Sequence, residues 1–423
     1  MKKINLLLIL TLLFLSMSIH SHGENKTSIE DSTQLYSDEE VTELLRNMPN
    51  IEVGKGVTFE SKDNRYKMTM RLRLQSMVGI SLDDNFGVSE TEACIKRLHM
   101  RFDGYVFTPK VAYSIQLGYS PYDAKDVPNG NLNIIREAMI YYVPSSTWNI
   151  GFGQTKLRGG RANINSSSAL QFVDRSIVNS EFHIDRDFGL FAEFHQHIGK
   201  TFNYAIKGSI TTGDGRNFRI SQKSGLAYTA RVELYPLGKF TSRGEVSEGD
   251  YVKESVPRLA IGGAFSYNDR ACRVQGTKGS LLVDDNRRSL QSWFADVIFK
   301  YQGFAFYTDV MGRLCNDPLV YNTDGSIAQR IYTGWGINVQ ASYLLPKNWE
   351  IAVRHSSLLP DKGTAEYEGY KNENQATVAI IKYFIGHNLK VHADFSYNYT
   401  TDAMSHALRS DRWQAQLSVD VGI

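Results

Sequence analysis

Along the final segment of this 423-residue chain, Trp413, Ala415, Leu417, Val419, Val421 and Ile423 alternate with Gln414, Gln416, Ser418, Asp420 and Gly422. A period of two marks a β-strand, whose successive side chains point to opposite faces. The same alternation runs through Val391, Ala393, Phe395, Tyr397 and Tyr399, and through Tyr66, Met68, Met70, Leu72 and Leu74. Counting such runs predicts sixteen strands, at 65–79, 95–107, 110–119, 134–144, 146–153, 187–196, 201–210, 226–236, 257–268, 291–301, 303–313, 331–345, 348–356, 374–385, 389–399 and 411–423. The fold class is therefore all-β.

The predicted connections alternate too. Tight turns at 108–109, 144–147, 197–200, 302, 346–347 and 386–388 follow even-numbered strands, whereas the loops after odd-numbered strands run to roughly 10–34 residues. Short turns on one rim and long loops on the other is the asymmetry of outer-membrane barrels. One connection breaks the rule: the roughly 20 residues of 236–256 stand where a tight turn is expected.

Alternation alone does not say which face is inside, because a sandwich with an apolar core has the same period. Aromatic residues decide it. Tyr141, Tyr142 and Trp148 flank one tight turn, Tyr301 and Phe304 another, Tyr343 and Trp349 a third, and Tyr383 and Phe384 a fourth. Rings gathered at strand ends suit a membrane interface, where an apolar body and a polar edge are both satisfied. The other face carries Arg71, Arg73, Arg97, His99, Arg101, Asp103, Lys207, Arg231, Glu233, Asp296, Lys300, Asp309 and Arg313 in mid-strand positions. Each central Arg or Lys would cost about 2–4 kcal/mol against lipid, so this face is expected inside, toward water. The reading is a transmembrane antiparallel β-barrel with short periplasmic turns and long extracellular loops, wide enough at sixteen strands for an aqueous channel.

The N-terminus supplies the compartment. Lys2 and Lys3, the apolar run 4–15 and then Ser16, Ser18 and Ser21 have the layout of a secretory signal peptide. The apolar run is shorter than the roughly 20 residues of a spanning helix. The expected organisation is a signal peptide at 1–22, a periplasmic lead-in at 23–52 holding a short amphipathic helix, and a barrel at 53–423, placed in the outer membrane of a Gram-negative bacterium with its lipid as one partner. Lys plus Arg number 47 and Asp plus Glu 45, so losing Lys2 and Lys3 leaves a neutral chain. Such a balance argues against a nucleic-acid partner. Cys94, Cys272 and Cys315 show no metal-ligand spacing, and neither metal nor cofactor is expected.

Function is then sought in the lumen. Arg65, Lys67, Arg71 and Arg73 on the first strand and Arg97 and Arg101 on the second concentrate positive charge, and a hairpin symmetric about residue 87 would set Arg73 opposite Arg101. Over the assignable inward positions basic residues outnumber acidic ones by about 13 to 9, which suggests a modest anion preference. The bland alternative is a mixed-charge lumen that simply stays wet. The third long loop, 154–186, carries Lys156, Arg158, Arg161, Arg175 and Arg186 against Asp174, Glu181 and Asp185. Its apolar Leu170, Phe172, Val173, Ile177 and Val178 argue that it packs against something. It is expected to fold into the pore and narrow it, with a surface loop guarding the mouth as the alternative. Candidate anion contacts are Lys156, Arg158, Arg161, Arg175 and Arg186 on the loop and Arg71, Arg73, Arg97 and Arg101 on the wall.

At this loop a resemblance becomes specific. "GKGVTFESKDNRYKMTMRLRLQ", "GFGQTK", "SSSALQFVDRSIVN" and "RDFGL" resemble segments of the phosphate-selective porin O and P family of Bacteroidota-type outer membranes, from about residue 52 onward. The resemblance implies a sixteen-stranded, usually trimeric porin that passes phosphate through a basic constriction, with Lys156 and Arg175 at matching positions as anion contacts. Arg158, Gly159 and Gly160 stand where the family commonly has Pro and an aromatic, Ala162 replaces a frequent Glu, and the chain ends in Ile423 rather than an aromatic.

The leading expectation is passive diffusion of small anions, phosphate among them, with a non-specific porin as the alternative. An enzyme is not expected: no G-x-S-x-G or H-E-x-x-H is present, and His99, His195 and His392 read as solvated lumen residues. An adhesin or assembly scaffold on an incidental barrel is the remaining class.

Overall fold

The computed structural model describes residues 50–52, 54–123, 134–218, 225–284 and 286–423. Two short strands, β1 (Asn50–Glu52) and β2 (Gly56–Glu60), precede β3 (Tyr66–Leu82), β4 (Val88–Val106), β5 (Thr108–Gly118), β6 (Ile135–Tyr142), β7 (Trp148–Lys156), β8 (Arg186–Ile198), β9 (Phe202–Thr211), β10 (Ala227–Tyr235), β11 (Arg258–Ala271), β12 (Arg288–Tyr301) and β13 (Phe304–Leu314). A loop hairpin of β14 (Leu319–Tyr321) and β15 (Ile327–Arg330) follows, then β16 (Gly334–Leu345), β17 (Trp349–Pro360), β18 (Lys371–Ile385), β19 (Leu389–Asp402) and β20 (Leu408–Gly422). Eighteen strands form one sheet. Setting aside β1 and β2, sixteen of them pair antiparallel with their sequence neighbours, and β20 returns to β3 from Trp413↔Leu82 to Gly422↔Arg73. The barrel is closed, so no long edge is left unpaired. β2 extends the free part of β3 beyond the end of β20, from Val57↔Met70 to Glu60↔Lys67.

All sixteen expected strands are present. The first expected long loop is instead a projecting hairpin, since β3 and β4 leave only 83–87 between them. Its axis differs from the symmetric guess: Arg71 faces Arg101 and Arg73 faces His99, because the turn is centred near residue 85, and the register shifts at Ser81/Leu82 and Gln75/Ser76 make up only part of the difference. The expected signal peptide at 1–22 and the helix in the 23–52 lead-in lie outside the described residues, apart from β1.

Alternation decides which residues meet which solvent. On β18, Val378 and Ile380 are about half exposed while Thr377, Ala379 and Ile381 are buried. Phe152, Leu190, Ile206, Val232, Ile261, Phe265, Val339, Val353 and Leu417 continue this exposed apolar surface around the barrel. Water would penalise such a band and hydrocarbon would not. Tyr142, Trp148, Phe304, Tyr343, Trp349 and Phe384 point outward near the short turns. Tyr141 and Tyr383 do not. Tyr141 packs toward the interior, and Tyr383 is buried, donating its hydroxyl to Glu350 at 2.6 Å.

The charged inner face meets protein more than water. Arg231, Asp296, Lys300, Asp309, Arg313 and His392 are nearly inaccessible because two segments fold into the barrel, and His99 is buried against Asp123 and Gln116. The first is 154–186, with helices α1 (Arg161–Ile164) and α2 (Ile177–Phe182) and a 3₁₀ turn at Ser167–Ala169. The second is the anomalous connection 236–256, with a 3₁₀ turn at Thr241–Val246. They touch each other: Gln171 N donates to Glu248 Oε2 at 2.9 Å, and Arg161 Nη1 to the Glu245 carbonyl at 3.1 Å. A tight turn would leave Lys300 without partners. Instead its ammonium donates to the Gly244, Ser247 and Gly249 carbonyls at 2.8, 3.0 and 2.6 Å.

Candidate functional site

The in-folded loop leans on one wall. Leu157, Val178, Phe182 and Ile184 pack with Phe294, Ile298, Tyr307, Met311, Tyr332 and Leu358, and Phe172 packs with Leu344, Ala352, Ala379, Ile381 and Tyr383. Burying these side chains is what draws the loop inward, at roughly 1.5–3 kcal/mol for each fully buried large one. Gly159 and Gly160 follow from the same contact. A Cβ on Gly160 would lie 2.7 Å from Met311 Cε, and one on Gly159 2.7 Å from Ile184 Cγ1.

Polar groups of that wall then bind the loop's main chain. Arg231 donates to the Gly159 carbonyl at 2.8 Å, Arg354 to that of Asp174 at 2.8 Å and Arg313 to that of Glu181 at 2.9 Å. Lys390 donates to the Leu170 carbonyl, and Asp394 accepts from Val173 N at 2.7 Å. Arg161 is buried in a cluster with Asp296 at 2.7 Å and Glu233 at 3.8 Å, and it takes no part in lining the cavity.

The opposite side, along β3 to β7, stays open as a cavity of about 1330 Å³. Fourteen Lys and Arg but only six Asp and Glu line it. Of the nine candidates, Arg71, Arg73, Arg97, Arg101, Lys156, Arg158, Arg175 and Arg186 meet there. Their partners differ, and this sorts them. Arg71 and Arg101 share Asp103, which relieves their direct opposition across the hairpin. Arg158 pairs with Glu193 at 2.7 Å, and Arg186 with Asp185 at 3.0 Å and Glu137 at 3.3 Å. Arg73 binds Asp420 at 2.6 Å and reaches Ser167 Oγ at 2.5 Å. Lys156 gives its ammonium to the Asn163, Ile164 and Asn165 carbonyls at 2.6, 3.3 and 3.0 Å, closing the end of α1.

Arg97 and Arg175 hold no carboxylate among the described residues. Arg97 bonds the Gln75 side chain, and Arg175 the Ala162 and Asn165 carbonyls at 2.6 and 3.0 Å. Burial and then the neighbouring Arg97 charge bring the Arg175 guanidinium down to about 10, still cationic at neutral pH. With Arg73 they surround the loop's Ser166, Ser167 and Ser168, which face the same cavity. Neutral hydroxyl donors beside guanidinium forks suit an oxyanion.

Six basic residues of the lining escaped strict alternation: Lys96, Arg136, Arg216, Arg243, Arg273 and Lys278. Lys96 sits at the bulge between Gln75↔Arg97 and Ser76↔Ile95. A bulge inserts one residue and re-aims side chains, so Lys96 turns inward beside Arg97, pairing with Asp174 and lying 5.4 Å from the Tyr122 ring centroid. Arg136, at the register shift of β6 between Gln116↔Glu137 and Leu117↔Ile135, meets Asp123, and Arg216, in the connection after β9, meets Asp185. The motif "GFGQTK" also gains a local meaning. Gly153 has φ +132° and passes so close to the Ala138 carbonyl that a Cβ would lie 2.1 Å from its oxygen. Gln154 bridges the Ile135 carbonyl and Asn217, at 3.2 and 2.7 Å.

A family model described as phosphate-selective porin O and P matches residues 68–245. No curated protein matches. Among solved structures, the outer-membrane channel DcaP of Acinetobacter baumannii aligns at 14% identity with TM-score 0.53, covering 87% of this chain and 100% of that one. An anion-selective porin from Comamonas acidovorans aligns at 6% identity with TM-score 0.52, covering 85% and 100%. OmpT of Vibrio cholerae in its trimer form aligns at 11% identity with TM-score 0.51, covering 85% and 99%. At these identities the likeness concerns the fold.

Proposed function

We infer that this outer-membrane porin, matched by the phosphate-selective porin O and P model over its first barrel half, conducts small anions passively, with inorganic phosphate as the leading candidate. The observation that carries the reading is the fourteen-to-six excess of basic over acidic residues around one cavity in a chain whose total charge is near neutral. Low-dielectric walls focus such a field, so a local excess outweighs the neutral total. Arg97, Arg175 and Arg73 are the proposed anion contacts, since the first two are balanced by carbonyls and an amide rather than by carboxylates. The paired Arg71, Arg101, Arg158 and Arg186 set the background potential. No catalytic step is part of the reading.

Purified protein in a planar bilayer should conduct ohmically, with a reversal potential displaced toward the chloride equilibrium in a salt gradient. Added phosphate should reduce the chloride current. A displacement toward the cation equilibrium would end the anion reading, and an unchanged chloride current would favour a general diffusion pore. A homotrimer is proposed on the likeness to the V. cholerae porin in its trimer form; cross-linking in detergent tests it.

A further inference from the structure

The connection 236–256 does more than support the in-folded loop. Its 3₁₀ turn contains two consecutive non-glycine residues in the left-handed region, Ser242 at φ 51° and Arg243 at φ 60°. Such conformations persist only where the surroundings over-determine them. Here both flanks are pinned. Thr241 donates its N–H and its hydroxyl to the Glu254 carboxylate at 2.7 and 2.9 Å. Beyond the turn, the Gly244 and Glu245 carbonyls are held by Lys300 and Arg161 at 2.8 and 3.1 Å. Asp250 fastens the return, accepting from Glu254 N at 3.1 Å and Gly303 N at 2.7 Å. What the fixed frame leaves projecting is Arg243. It is exposed, lines the cavity with Ser242 and Val246, and makes no hydrogen bond or ion pair among the described residues.

We propose that Arg243 is a further selectivity-determining residue, a cation held at the short-turn mouth of the lumen for small oxyanions to meet after the Arg73, Arg97 and Arg175 group. The proposal rests on the reading of the lumen as an anion path. It also gives the over-long connection a purpose, since its pinned turn sets a cation against the cavity. The connection joins β10 to β11 at the short-turn rim, and Gly54, His387, Asn388 and Ile423 from that rim line the same cavity.

The test compares full-length wild type, Arg243→Gln, Arg243→Glu and Lys239→Glu in planar bilayers under a salt gradient of about tenfold, run in both directions. Lys239 is exposed on the same connection but does not line the cavity. Arg243→Glu changes the charge by two units and should lower the anion-to-cation permeability ratio about 25-fold, at a factor of about five for each unit charge at about 4 Å in water. Arg243→Gln should lower it less, and Lys239→Glu should leave it unchanged. The shift should be larger when the dilute bath faces the short-turn mouth, where screening is weakest. An unchanged ratio in Arg243→Glu, or an equal fall in Lys239→Glu, would overturn the proposal. A cation-preferring wild type would instead sink the anion path itself, while a further fall in Arg243→Glu would still assign the mouth charge.

Discussion

Two cations in the same cavity do opposite work. Lys156 spends its ammonium on three carbonyls at the end of α1, whereas Arg97 holds only a glutamine side chain. Removing the first should orphan main-chain acceptors, and removing the second should change the field. Lys156→Met is expected to destabilise the in-folded loop by about 1–3 kcal/mol, the range for stranding buried polar groups, and to make single-channel current noisier at nearly constant ion preference. Arg97→Gln should leave heat stability within about 0.5 kcal/mol while weakening phosphate block and lowering the anion preference. Current recordings paired with the temperature at which the folded form is lost on detergent gels would separate the two. A selectivity change in Lys156→Met as large as that in Arg97→Gln would show the sorting by partners to be mistaken.

At the scale of elements, the barrel is the part most legible in the sequence. Strand period, turn asymmetry and the sign of the inner face are local properties, and sixteen strands follow from them. What resists reading is whatever depends on contact between distant segments. The bulge that turns Lys96 inward depends on strand register, which a hairpin symmetric about residue 87 places two residues off for Arg73. The 236–256 connection is visible as an anomaly of length, but its insertion depends on Lys300 and Arg161, remote in sequence. Likewise Arg161 reads as a pore cation and is found as a rivet between α1 and the wall, with Asp296, Glu233 and Arg231 around it. Removing one partner of such a buried cluster is costly, about 3–5 kcal/mol, because the other charges remain. Arg161→Ala should therefore detach the start of the loop and increase both conductance and protease cleavage within 154–186. If Arg161→Ala gave wild-type conductance and cleavage, the loop would not be held by this cluster.

For the whole molecule, acid should loosen the barrel's filling before it affects the barrel. His183, in the in-folded loop, is kept well below the usual imidazole range by burial and by Lys278. His387, in the turn between β18 and β19, lies edge-on to Tyr383 at 5.4 Å, and burial, then Lys390 and Lys300, bring it down to about 3. Both are neutral in the fold and would charge in the unfolded chain near pH 6.5. Their stabilisation is thus fully present above that pH. It is lost as pH falls toward the folded values, because the unfolded state binds more protons, by up to about 1.4 kcal/mol per histidine per pH unit. Asp185 acts in a lower window: burial pushes its carboxyl up, but Arg186 and Arg216 outweigh that and hold it down, so its contribution is lost only below about pH 4. Between pH 7 and pH 5 the histidines should dominate, and the unfolding temperature in detergent should drop. His183→Gln, which keeps a polar side chain but cannot titrate, should flatten that slope. An unfolding temperature constant from pH 7 to pH 5 in the wild-type protein would mean that neither imidazole is kept from protons by the fold.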